Sequence, residues 1–171
     1  MTEPFAEPPA SLFSLTQIQH LMRVEFSRAQ RYGYPLGVLV VEVDGLAALR
    51  DEQGYAARQD ALSSVSSLMQ RTTRSCDFLG RLVDDRLMAV LPHTRTEGVA
   101  RTAERLLAGA RDLGLERGVP GVRLNIGYSV FDGGSTLFFD ALVDAAEAGL
   151  IEARTHGGDR AVLRSPAGST H

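Results

Sequence analysis

The chain predicts an α+β fold: one sheet of about five strands, mixed or largely antiparallel, with a central hairpin and flanking helices. Three observations carry this. The run Leu36–Val43 (LGVLVVEV) is short and β-branched, and only Glu42 interrupts its apolar character, so it reads as a buried central strand. Two further strands, Asp77–Leu82 and Arg86–Leu91, are separated only by Val83-Asp84-Asp85 and form a hairpin. Between most other strands the apolar residues recur at helical spacing. The hairpin breaks strict strand–helix alternation, which disfavours a doubly wound parallel sheet.

The remaining elements follow in order. Ser14 caps a helix over 15–31, with Leu15, Ile18, Leu21, Met22, Glu25 and Phe26 forming its mostly apolar stripe. Gly33 and Pro35 end it. A short helix spans 46–52 and breaks at Gly54; another spans 55–71, with Leu62, Val65, Leu68 and Met69 inward. Pro92 stops the hairpin's second strand. A helix over 96–113 turns Val99, Ala103, Leu106 and Leu107 to the core. A strand over 122–131, a turn at Asp132-Gly133-Gly134, a helix over 137–155 and a short strand over 160–163 complete the order. Residues 1–13 read as a flexible leader too short for a sensory domain, 14–164 as the folded domain, and 165–171 as a disordered tail.

Composition narrows the chemistry. A chain of 171 residues is one domain by size and buries about 70% of its unfolded surface, so it needs no disulfide or metal staple. Net charge is −3, which argues against a general nucleic-acid surface or an anionic membrane partner. All 18 basic residues are arginine, which excludes Schiff-base chemistry, a phosphate-loop lysine and a lysine general base. One cysteine, Cys76, excludes an internal disulfide and a multi-cysteine metal site, and the four histidines form no ligand spacing. There is no apolar run of 18 residues and no signal-peptide pattern, so neither membrane insertion nor export is expected and the location expected is cytoplasmic.

The stretch Arg74-Ser-Cys-Asp77-Phe-Leu-Gly-Arg81-Leu-Val83-Asp84-Asp85-Arg86-Leu87-Met-Ala-Val-Leu-Pro92 resembles the signature region of GGDEF domains, the diguanylate cyclase family. Leu15-Thr16, Tyr34-Pro35, Asn125-Ile126-Gly127 and Ala153-Arg154 through Gly157 resemble further family positions, in order and at matching spacing. The resemblance covers Leu15 to Leu163 and implies a nucleotidyl-cyclase, palm-like sheet with nucleotide at the hairpin turn.

It also implies where the site is altered. The family joins two GTP molecules using divalent cations held by carboxylates. Here the first-strand aspartate is Glu42, the turn aspartate is Asp85, and the next acidic position is Arg86. The signature glycines are Val83 and Asp84, where a side chain should block a triphosphate. Guanine-contacting positions have become Leu46, Arg50 and Gln59, the phosphate lysine is Arg154, and the N-terminal aspartate is Phe13. The expectation is therefore a degenerate copy that is no enzyme, with no catalytic residues and no cofactor. Mg²⁺ at Glu42 and Asp85 is not expected, and an ion pair of Glu42 with Arg86 is.

What the resemblance retains is Arg74-x-x-Asp77, five residues before the turn, where the family binds cyclic di-GMP as an inhibitor. The chemistry suits guanine: a guanidinium fork engages O6 and N7, and a carboxylate accepts from N1–H and N2–H. A family arginine contributed across a dimer corresponds to Arg28. The bland alternative is a surface ion pair. The reading is a cyclic di-GMP receptor using Arg74, Asp77 and Arg28, relaying to a signalling protein partner, with a ligand-induced homodimer. The alternatives are a nucleotide-independent interaction module and a residual GTP-binding cyclase.

Overall fold

The computed structural model describes residues 12–114, 121–134 and 138–167. The elements run α1 (Leu15–Tyr32), β1 (Leu36–Val43), α2 (Leu46–Gln53), α3 (Tyr55–Thr72), β2 (Phe78–Arg81), a 3₁₀ turn (Val83–Asp85), β3 (Leu87–Pro92), α4 (Thr96–Asp112), β4 (Leu124–Phe131), α5 (Phe139–Thr155) and β5 (Arg160–Leu163). The sheet order is β2-β3-β1-β4-β5. Every neighbouring pair is antiparallel except β4 with β5. The five-stranded mixed sheet flanked by helices is the fold the sequence predicts.

The central strand explains the layers. Alternate residues of a strand face opposite ways. Leu39, Val41 and Val43 of β1 join the core under α3 and α4. Leu36, Val38 and Val40 join a second core under α1 and α5. With both faces covered, β1 needs no polar alternation, and Glu42 is its one residue that is not fully buried.

Local chemistry sets the ends of α1. The Ser14 hydroxyl accepts from the Gln17 amide at 3.3 Å, and the Gln17 side chain accepts from the Ser14 amide at 3.0 Å. Gly33 closes the helix in the left-handed conformation, φ 72°, with its N–H donating to the Ala29 carbonyl.

Two terminal expectations need correction. Phe13, assigned to the leader, pairs with Gly80, exchanging backbone hydrogen bonds with Leu79 and Arg81. Its ring lies against Phe78, which gives it a reason to be ordered. Pro166, assigned to the tail, is buried. The rest of the leader, 1–11, and the tail from 168 lie outside the described residues, as does Leu137, the expected start of α5. No helix among the described residues is long and apolar enough to cross a membrane.

Candidate functional site

The β2–β3 turn keeps a tight path without glycine. Asp84 and Asp85 both take φ 58°, the left-handed region that glycine usually supplies and aspartate tolerates. Leu82 N–H donates to the Arg86 carbonyl at 2.8 Å, closing the loop. The carboxylate of Asp85 meets the guanidinium of Arg58 on α3. Arg86 turns to the other face and pairs with Glu147 of α5 at 3.6 Å. Beneath it, a cleft of about 480 Å³ opens between α1 and α5, lined in part by Met22, Arg23, Val83 and Phe139.

Glu42 does not pair with Arg86. Arg154 holds it bidentately, at 3.0 Å from Nε and 2.7 Å from Nη2, and Asn125 Nδ2 donates at 3.1 Å. The register dictates this: Asn125 is the residue of β4 opposite Glu42. Arg154 lies two helical turns beyond Glu147 on α5, so Arg86 and Arg154 each meet a different acidic partner. The carboxylates as arranged do not fit the divalent cations that the resemblance implies. Both Glu42 oxygens are engaged, Asp85 is paired, and no cluster of three metal-ligating side chains occurs among the described residues.

The second constellation is a rim at the opposite ends of β1 and β3. Asp77 sits just before β2 and has only 3% of its side chain exposed. Its Oδ2 accepts from the Arg74 amide at 2.7 Å and its Oδ1 from the Arg74 guanidinium at 3.2 Å. The same guanidinium donates to the Pro92 carbonyl at 2.8 Å and to Thr94 Oγ1 at 2.6 Å. Arg74 is thus anchored at four atoms yet remains 54% exposed. Asp77 is its support rather than an open acceptor. Cys76 beside them is exposed and free.

Arg28 reaches the same rim from α1. It lies 3.8 Å from Glu25, whose buried carboxylate accepts from the Tyr34 hydroxyl at 2.5 Å. The Tyr34 ring stacks on His93 at 3.8 Å, and His93 joins Pro92 to Thr94, which with Asp77 hold Arg74. Burial, then the hydrogen bond to Glu25, pushes the Tyr34 phenol up to about 12. A chain of contacts within one protomer therefore links all three residues expected to carry a ligand. Sequence reasoning missed Tyr34 and His93 as site residues. The signal was slight: each follows or precedes a proline at a strand end.

The model for the diguanylate cyclase GGDEF domain matches residues 10–160. The chain belongs to this family. It is 28% identical over 153 residues to the diguanylate cyclase DosC of Escherichia coli K12, covering 84% of this chain and 31% of DosC. The active GGEEF domain of a Vibrio cholerae diguanylate cyclase shares the fold at a TM-score of 0.83 and 21% identity, covering 90% of this chain and 98% of that one. The GGDEF domain of DgcB from Caulobacter crescentus, solved with cyclic di-GMP, shares it at 0.81 and 14%, covering 95% and 97%. This GGDEF domain thus spans about a third of the length of the curated relative it matches.

These findings correct the expectation that the chain is no enzyme. The family model and DosC carry the name diguanylate cyclase, and the Vibrio cholerae domain of the same fold is described as active. The physical reason is visible in the turn. The expectation rests on the loss of the signature glycines, but at one of those two positions Asp84 holds the left-handed backbone at φ 58°, and at the other Val83 has no positive φ that would require glycine.

Proposed function

We propose that this GGDEF domain binds cyclic di-GMP along the Arg74 rim and relays its occupancy to a protein partner. The observation that carries the reading is Arg74: a guanidinium fixed by Asp77, Thr94 and the Pro92 carbonyl, yet half exposed. A fork held in advance loses less freedom on engaging guanine O6 and N7 or a phosphate. Arg28 supplies a second guanidinium at the far end of the same contact chain. The DgcB domain, of the same fold, was solved with this ligand. Titration calorimetry with cyclic di-GMP tests the reading. Arg74→Ala should weaken binding by about 1–3 kcal/mol, roughly five- to a hundredfold, in a protein that still unfolds in one cooperative urea transition. No binding at micromolar ligand, or unchanged affinity in the variant, overturns it.

A second reading, synthesis of cyclic di-GMP from GTP, is favoured by the family match over residues 10–160. Product formation above a no-enzyme control, lost in Asp85→Ala, would support it. Failure of both readings leaves a nucleotide-independent interaction module.

A further inference from the structure

Resting on the reading of the Arg74 rim as a cyclic di-GMP site, we infer that His93, backed by Tyr34, is the platform on which one guanine base of that ligand stacks. His93 connects β3 to α4 and is exposed. One face of its imidazole lies on the Tyr34 phenol ring, at 3.8 Å and 23° between planes, while the residue as a whole is exposed. The platform is fixed from below and from both sides. The Tyr34 hydroxyl is tied to buried Glu25, and the residues flanking His93 are two of the three that anchor Arg74. Its backbone sits at φ 54°, in the left-handed region.

Purines stack on flat aromatic side chains with little dependence on base identity. Hydrogen bonding at the guanine edge supplies the identity instead. Here the two functions fall to neighbours: His93 takes the base face, and Arg74, one residue away on either side through Pro92 and Thr94, takes the edge or the phosphate. Arg28, paired with the Glu25 that holds Tyr34, adds an exposed guanidinium to the same contact chain. No other ring is stacked on His93 among the described residues.

The test compares wild type, Arg74→Ala, His93→Gly and His93→Phe by calorimetry with cyclic di-GMP. Glycine accepts the positive φ, so His93→Gly removes the ring without backbone strain. Its affinity should fall about five- to a hundredfold, as loss of one stacked base predicts, and His93→Phe should restore part of it. In wild type, the ring protons of His93, assigned by their absence in His93→Gly, should move upfield on ligand saturation. If wild type binds and Arg74→Ala is weakened, but His93→Gly keeps wild-type affinity or the ring protons stay in place, the platform is wrong and the rim stands. If wild type does not bind, or Arg74→Ala binds like wild type, the rim itself is wrong and the platform goes with it.

Discussion

Glu42 and Arg154 stand 112 residues apart and close a bidentate pair. By the resemblance these positions hold an aspartate and a lysine in the family. Glutamate reaches one methylene further, and a guanidinium offers two parallel donors where an ammonium offers a point charge. The substitutions are therefore matched to each other. Tyr34 shows a related coupling with a pH signature. Burial disfavours its phenolate, and ionising the phenol that donates to Glu25 would also set an anion beside that carboxylate, so its pKa is raised from 10.0 to about 12. The stabilisation is present below pH 10 and is lost as pH rises toward 12. Urea unfolding followed across that range should show a steeper loss for wild type than for Tyr34→Phe, which has no proton to release. Equal slopes would show that Glu25 does not hold the phenol.

At the scale of elements, the contact of α5 with β4 rests on two glycines. A Cβ placed on Gly127 would come within 1.9 Å of the Ala146 carbonyl and 2.1 Å of the Leu150 nitrogen, both backbone of α5. One on Gly149 would meet the Val162 carbonyl at 2.6 Å and Gly127 Cα at 3.2 Å. The helix lies directly on the strand, and neither backbone can yield without moving the other. Gly127→Ala should cost about 1–3 kcal/mol or more in urea unfolding. An alanine tolerated within 0.5 kcal/mol, the range of ordinary surface changes, would show that α5 stands further off the sheet. This contact is also where sequence reasoning reached its limit. The apolar periods placed most elements to within a few residues, because most helices and strands bury a face of their own; α2 and β5 bury no residue fully and were placed by the glycines that bound them. Ser14 announced the start of α1, and Gly33 its end. The pairings between elements were less legible. Arg58 with Asp85 and Arg154 with Glu42 depend on sheet order and on which helix covers which face, and neither is written in local spacing. Arg74 and Asp77 were legible as a motif, but their geometry was not: Asp77 faces inward, to the Arg74 amide and guanidinium.

For the whole molecule, the rim at the Arg74 end carries two exposed guanidinium groups, Arg74 and Arg28, that a bridging anion could share between copies. If one ligand contacts Arg74 of one protomer and Arg28 of another, it binds the dimer better than the monomer and stabilises it by mass action. Light scattering should then show cyclic di-GMP raising the mass toward twice 18.5 kDa, with Arg28→Ala reducing both the dimer and the affinity. Because Arg28 has 64% of its side chain exposed, its removal should leave unfolding unchanged. A saturated wild type that stays monomeric would confine Arg28 to its own protomer's rim.

The placement of β1 between β3 and β4 also bears on how the chain is synthesised. Glu42 and its β4 neighbour Asn125 are 83 residues apart, which at ordinary translation rates is roughly 4–17 s of waiting. Through that interval β3 can cover one edge of β1, while the other edge presents its bare backbone and a row of valines and leucines to any other nascent chain. Such segments invite edge-to-edge association, and a charge within them discourages it. Glu42 is the single charge in β1. Before Arg154 has been translated, its carboxylate is the strand's own guard against joining a neighbour; afterwards it is locked to the last helix.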